Sequence, residues 1–135
     1  MTVQWSAAVR NAVVDAWETA IGTSAKVEIR TGAQPASTVS AAASTLLVTI
    51  PLAADWAAAG AAGVKALTGL PVGAAAVAAG TAAHYRITDS AGTTCHEQGT
   101  VTGPAGGGDL LIDNTSIAVA QAVQITSWSK TAPGA

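Results

Sequence analysis

Residues 84–102 read His84-Tyr85-Arg86-Ile87-Thr88, then Asp89-Ser90-Ala91-Gly92, then Thr93-Thr94-Cys95-His96-Glu97-Gln98-Gly99-Thr100-Val101-Thr102. Two β-rich runs flank a turn in which Gly92 is free to take a positive φ, the pattern of a β-hairpin. Pairing Asp89 with Thr93 sets Arg86 opposite His96. His84, Arg86, His96 and Gln98 then share one face, and Tyr85, Ile87 and Cys95 share the other.

Further strands lie on both sides of this hairpin. Lys26-Val27-Glu28-Ile29-Arg30 alternates charged and apolar residues, as a half-buried strand does. Thr45 to Ile50 is a strand stopped by Pro51, and Val64 to Leu67 is a short one. After the Gly-rich loop 103–108, Leu110-Leu111-Ile112 and Ala122 to Trp128 complete the set, with Val123, Ile125 and Ser127 on one face of the last. Asp113-Asn114-Thr115-Ser116 reads as a turn. Residues 36–43 read as a small-residue loop. The Ala/Gly-rich stretches 53–62 and 71–83 carry no clear period.

Residues 3–21 predict the one helix. Trp5, Val9, Val13, Trp17 and Ile21 recur every four residues as an apolar stripe, and Gly22 ends it. The expected fold is mainly β: an antiparallel β-sandwich or jelly roll with one N-terminal α-helix, because βαβ units need repeated helices. It forms a single domain over 1–135, with the helix at 3–21, the β part at 25–129 and a frayed tail at 130–135.

Composition narrows the function. The chain has 135 residues with 33 Ala and 14 Gly, so much of it has little side chain to bury. It carries 6 Lys+Arg against 8 Asp+Glu and no basic run, which argues against direct nucleic-acid binding. One Cys excludes an intrachain disulfide. The opening residues do not read as a secretory signal, and the Ala/Gly stretch around Pro71 is too weakly apolar for a membrane span.

Catalytic chemistry has little to build on. His84, Cys95 and His96 split across the two faces of the hairpin and lack metal-ligand spacing. A Cys-His nucleophile pair fails for the same reason. Asp109 and Asp113 read as loop and turn caps. Gly106-Gly107-Gly108 lacks the Lys-Ser/Thr of a phosphate loop. The reading is a protein that is not an enzyme and uses no cofactor or metal. A thin core for this length also implies self-association, with a dimer favoured and a trimer next.

Several landmarks carry a resemblance. Trp5-Ser6 is followed by Ala8-Val9-Arg10-Asn11-Ala12-Val13-Val14-Asp15-Ala16 and by Ile21-Gly22-Thr23-Ser24-Ala25. Then come Ile29-Arg30-Thr31-Gly32-Ala33, Asp55-Trp56, His84-Tyr85-Arg86-Ile87, Gly92-Thr93-Thr94-Cys95-His96 and Asp113-Asn114-Thr115-Ser116-Ile117-Ala118. This order resembles small structural proteins of tailed bacteriophages, and the size and β content resemble capsid cement (decoration) proteins. The resemblance implies a protein made in the bacterial host cytoplasm and placed on the outside of the virion head. Its partner there would be the major capsid protein, and its role to clamp neighbouring capsomers. A tail, neck or fibre-base component of the virion is the alternative, and a small carbohydrate-binding β-sandwich a lower one. By location, Trp5, Asp55 and Trp56 are the candidate interface residues.

Overall fold

The computed structural model describes residues 2–135. Helix α1 (Ala7–Ile21) is followed by β1 (Lys26–Arg30), β2 (Leu46–Pro51), β3 (Val64–Ala66), β4 (Val72–Ala75) and β5 (Gly80–Thr81). Then come β6 (His84–Thr88), β7 (Cys95–Thr102), β8 (Leu110–Ile112), β9 (Ser116–Ile117) and β10 (Ala122–Thr131). The fold is mainly β with one N-terminal helix, as expected. The main sheet runs β2-β1-β6-β7-β8-β10-β3, and β4 also pairs with β10. All of these pairs are antiparallel except β7–β8, which is parallel, so the sheet is mixed. It curls until its ends meet: the Val77 N–H, just beyond β4, donates to the Leu47 carbonyl of β2 at 2.8 Å. Val27, Ile29, Leu47, Ile50, Tyr85, Ile87, Leu110, Ile112, Val123 and Ile125 fill the inside and are fully buried.

The central hairpin forms with a shifted register. Arg86 lies opposite Gln98, not His96, and a bulge between Ile87 and Thr88 sets Thr88 against Cys95. The Asp89 carboxylate causes the shift by accepting from the Thr93 N–H at 2.9 Å, which widens the turn to residues 89–94. A two-residue slip keeps parity, so His84, Arg86 and Gln98 still share a face. Cys95 does not join Tyr85 and Ile87; it sits half-buried on the outer side, and His96 is exposed. In β10 a second irregularity, between Ile125 and Ser127, turns Trp128 inward and leaves Ser127 exposed.

The helix begins at Ala7, not residue 3, because the Ser6 hydroxyl caps it by accepting from the Val9 N–H at 3.3 Å. The C-terminal residues are not frayed. Lys130 and Thr131 complete β10 and pair with Lys65 and Val64 of β3. Ala132 is buried, its N–H on the Gly63 carbonyl, and the Gly134 carbonyl accepts from the Trp5 N–H at 2.8 Å.

Four aromatic side chains join the helix to the sheet. Trp17 meets Trp56 and Trp128 edge-on, with centroids 5.0 and 5.1 Å apart, and Tyr85 meets Trp128 edge-on at 5.5 Å. Glu97 sits beside them. One of its carboxylate oxygens accepts from Trp17 Nε1 at 2.8 Å, and the other accepts from the Tyr85 hydroxyl and pairs with Lys130. Burial, with the Glu97 carboxylate adding to it, holds the Tyr85 phenol far above its ordinary pKa, so it stays a donor. Truncation of a core Trp costs about 3–5 kcal/mol. Trp17 is only half-buried, so Trp17→Ala is expected to fall at the lower end, about 3 kcal/mol in denaturant unfolding. An unchanged midpoint would show that the helix is not part of the folded unit.

Candidate functional site

The inner face of α1 is unusually polar. Steps of four residues advance 40° around a helix with 3.6 residues per turn, so a stripe of five such positions cannot stay on one side. The positions turned inward are Arg10, Asn11, Val14, Asp15, Trp17, Glu18 and Ile21. Val9 and Val13 point outward instead, 48% and 42% exposed.

Each inward polar group has a partner. Arg10 Nη2 donates to the Ala132 carbonyl at 3.1 Å. Asn11 Oδ1 accepts from the Gly63 N–H at 2.7 Å, and Asp15 Oδ1 from the Gly60 N–H at 2.8 Å. Lys65, 3% exposed, places its ammonium 2.8 Å from Asp15, 2.7 Å from Glu18 and 2.8 Å from the Ala58 carbonyl. The Ala/Gly run at 57–63 makes this contact possible by letting the loop backbone lie against the helix. A Cβ on Gly60 would stand 2.7 Å from Val14 Cγ2, and one on Gly63 only 2.4 Å from Arg10 Cζ.

With its charges turned in, α1 presents only Ala7, Ala8, Val9, Ala12, Val13, Ala16, Thr19 and Ala20 to the outside. None is charged. The pattern extends over the molecule. Of the fourteen Asp, Glu, Lys and Arg residues, Asp55, Asp109 and Asp113 are well exposed, the Asp15 side chain is 45% exposed at the edge of its contact with Lys65, and every Lys and Arg is buried or half-buried. Asp109 and Asp113 are themselves occupied, accepting from the Thr100 and Gln124 N–H groups at 2.9 and 3.0 Å. Val39 at 93% exposure, Val77 at 68% and Val119 at 63% stand on loops. A soluble surface ordinarily carries about 25–35% charged residues, so this one is built of small and uncharged groups.

The outer face of the sheet carries a groove of about 490 Å³, lined by Glu28, Arg30, Arg86, Thr88 and Cys95 below and the 38–42 loop above. Its cations are already engaged. Arg86 donates to the Ser40 and Thr38 carbonyls at 2.8 and 2.6 Å, and Arg30 to Glu28 and to the Ser44 carbonyl, both at 3.0 Å. His84 is buried with Nδ1 2.9 Å from the Gly32 carbonyl, and the Cys95 thiol donates to the Glu97 carbonyl. His84, Arg86 and Arg30 thus fasten residues 32–44 to the sheet.

Of the residues expected to form an interface, Trp5 and Asp55 are exposed and Trp56 is not. Trp56 is 1% exposed, stacked on Trp128, and its Nε1 donates to the Gly22 carbonyl at 2.8 Å. It secures the end of α1 and cannot meet a partner. The bare helix face was missed by the apolar stripe. The signal that could have found it is the spacing of Arg10, Asn11, Asp15 and Glu18, which marks one polar side, together with the lone Lys65 in an otherwise uncharged segment. No protein-family model matches the chain, and neither does any curated protein or solved structure.

The Lys65 seam makes stability depend on pH at both ends. The Lys65 hydrogen bond, then the Gly60 N–H, hold the Asp15 carboxyl below its ordinary pKa. Burial alone would lower the Lys65 ammonium, but its bonds to Asp15 and Glu18 outweigh this and the net shift is upward. Asp15 therefore contributes stability above its unfolded pKa of about 3.9, lost as pH falls through the lower folded value. Lys65 contributes below about 10.4, lost as pH rises through the higher folded value. Unfolding midpoints should fall as pH drops below the first limit and as it rises above the second, where Tyr85, whose phenol burial also holds high, adds to the alkaline loss. Asp15→Asn should shrink the acid limb, leaving the part due to Asp89 and Asp109, whose carboxyls backbone N–H groups also hold low.

Proposed function

We propose that this chain is a non-enzymatic structural protein of a tailed-bacteriophage virion, a cement protein that binds the outside of the head and bridges neighbouring copies of the major capsid protein. The observation that carries the reading is the inward turn of the charges. A surface of Ala, Val, Ser, Thr and Gly loses little on dehydration, whereas each charge at an interface must be desolvated and re-paired. Its small side chains allow close backbone approach to a neighbouring subunit. Weak contacts of this kind hold firmly when a lattice presents several subunits together. The resemblance of the landmark residues supplies the setting. The same surface suits a tail, neck or fibre-base position, which is the second reading. A sugar-binding role is less favoured, because Trp56 and Trp128 are buried and Trp17 is packed against both, leaving Trp5 as the one well-exposed Trp.

The test is to compare heads made with and without the gene. Heads lacking the protein should lose surface density and rupture at lower temperature, and added purified protein should restore both. Unchanged heads with a missing tail feature would overturn the cement reading in favour of the second. Binding to purified heads should also change by less than about twofold between 50 and 500 mM salt, because few exposed charges are available to be screened. A loss of tenfold or more would show that the contact is ionic.

A further inference from the structure

Two Lys or Arg side chains are buried among the described residues, Lys65 at 3% and Arg86 at 6% exposure. Their surroundings differ. Lys65 has two carboxylates on its ammonium, at 2.8 and 2.7 Å. Arg86 has none: the ion pairs of the described residues are Arg30–Glu28, Lys65–Asp15, Lys65–Glu18 and Lys130–Glu97. Glu28 lies directly opposite Arg86 on β1, yet its carboxylate has turned to Arg30 at 3.0 Å. The Ser40 and Thr38 carbonyls take two of the five guanidinium N–H groups of Arg86 but supply no countercharge. A buried charge without one is costly, and a guanidinium cannot shed its proton to escape that cost.

Arg86 also lines the groove of about 490 Å³ on the outer face of the sheet, and around this groove cations outnumber acids. Arg30 lines it too, and the Lys26 stem runs past its rim, where a Cβ on Gly92 would lie 3.9 Å from Lys26 Cδ. Against these three cations stand Glu28, already paired, and Asp89, whose carboxylate accepts from the Thr93 and Thr94 N–H groups.

We infer that the groove is a binding site for an oxyanion: a phosphate, sulfate or carboxylate group of a small molecule, held by the remaining N–H groups of Arg86 beside the 38–42 loop. The planar guanidinium matches two oxygens of such a group at once. Thr38 and Thr94 line the same groove and bring hydroxyl groups to it. The volume suits a small molecule better than a bare ion. A cationic ligand would meet Arg86 and Arg30 with only Glu28 to offset them. The site does not depend on the virion setting. A protein that binds oxyanions and ignores heads overturns only the cement reading, and one that binds heads and ignores oxyanions overturns only this site.

The test follows the amide signals of the full chain by two-dimensional NMR while inorganic phosphate replaces chloride at constant pH and ionic strength. The amides of Ser40, Ala41, Thr93 and Thr94 should shift and saturate with a Kd of about 1 mM, the scale of a few charge-assisted hydrogen bonds. Those of α1 should stay in place. Arg86→Gln should weaken binding at least about tenfold. That change also frees the 38–42 loop, so Glu28→Gln gives a second reading that loss of structure cannot imitate. It removes the carboxylate that competes for the cations and should tighten binding at least about threefold. Acetate, titrated in the same way, separates a planar carboxylate from a tetrahedral anion, and saturation with either upholds the site. Shifts that never saturate with either anion would overturn the inference. So would binding that Glu28→Gln leaves unchanged or weakens, or that a folded Arg86→Gln protein retains in full.

Discussion

Lys65 is the constraint on which the placement of α1 depends. Its ammonium is buried, and a buried charge is tolerable only with partners. Asp15 and Glu18 supply them from one helix face, a turn apart, and the Ala58 carbonyl supplies the third. The helix must therefore lie with its charged side down. That orientation fixes Trp17 over Trp56 and Trp128, sends Arg10 to the Ala132 carbonyl just after the last strand and leaves Ala12, Val13 and Ala16 outside. A helix held by apolar contacts alone would have the opposite polarity and no bare outer face.

Glu97 does the same work one layer further in. Its two oxygens tie α1 through Trp17, the central hairpin through Tyr85 and the last strand through Lys130, so three elements share one carboxylate. Lys130 lies 5.6 and 5.8 Å from the Trp17 and Trp128 rings, which adds cation–π attraction to the pair. In a chain where Ala and Gly make up 47 of 135 residues, few large side chains are available for the core. Polar clusters that each bind several elements make up part of the difference, and they draw charge away from the surface as they do so. Core economy and the uncharged exterior have one cause.

Much of the fold was legible because strands alternate with period two and the hairpin is self-announcing. The helix, the strands around Val27, Leu47, Leu110 and Val123, and the mainly β class follow from such local signals. What escaped depends on contacts distant in sequence. The two-residue slip at Arg86 arises from Asp89 capping its own turn, and either register puts His84, Arg86 and Gln98 on one face. The bulge at Thr126 that buries Trp128 has no local mark. Lys130 looks like a tail residue until Glu97 is opposite it. The outer face of α1 was hidden for a geometric reason: Trp5, Val9, Val13, Trp17 and Ile21 look like one stripe in sequence, yet they wind 160° around the helix. Trp56 looked available for an interface because nothing in its Ala-rich neighbourhood shows that the end of α1 covers it.

Native-state hydrogen exchange on the amides of α1 tests the central claim most directly. If the ion pairs to buried Lys65 bind the helix to the sheet, the amides of residues 11–21 open only with the whole protein. Their opening free energies should then equal those of β1 and β6 and shift with denaturant in parallel. Amides of α1 that exchange through small local openings, while β1 and β6 stay protected, would show that the polar seam does not hold the helix and would contradict the account.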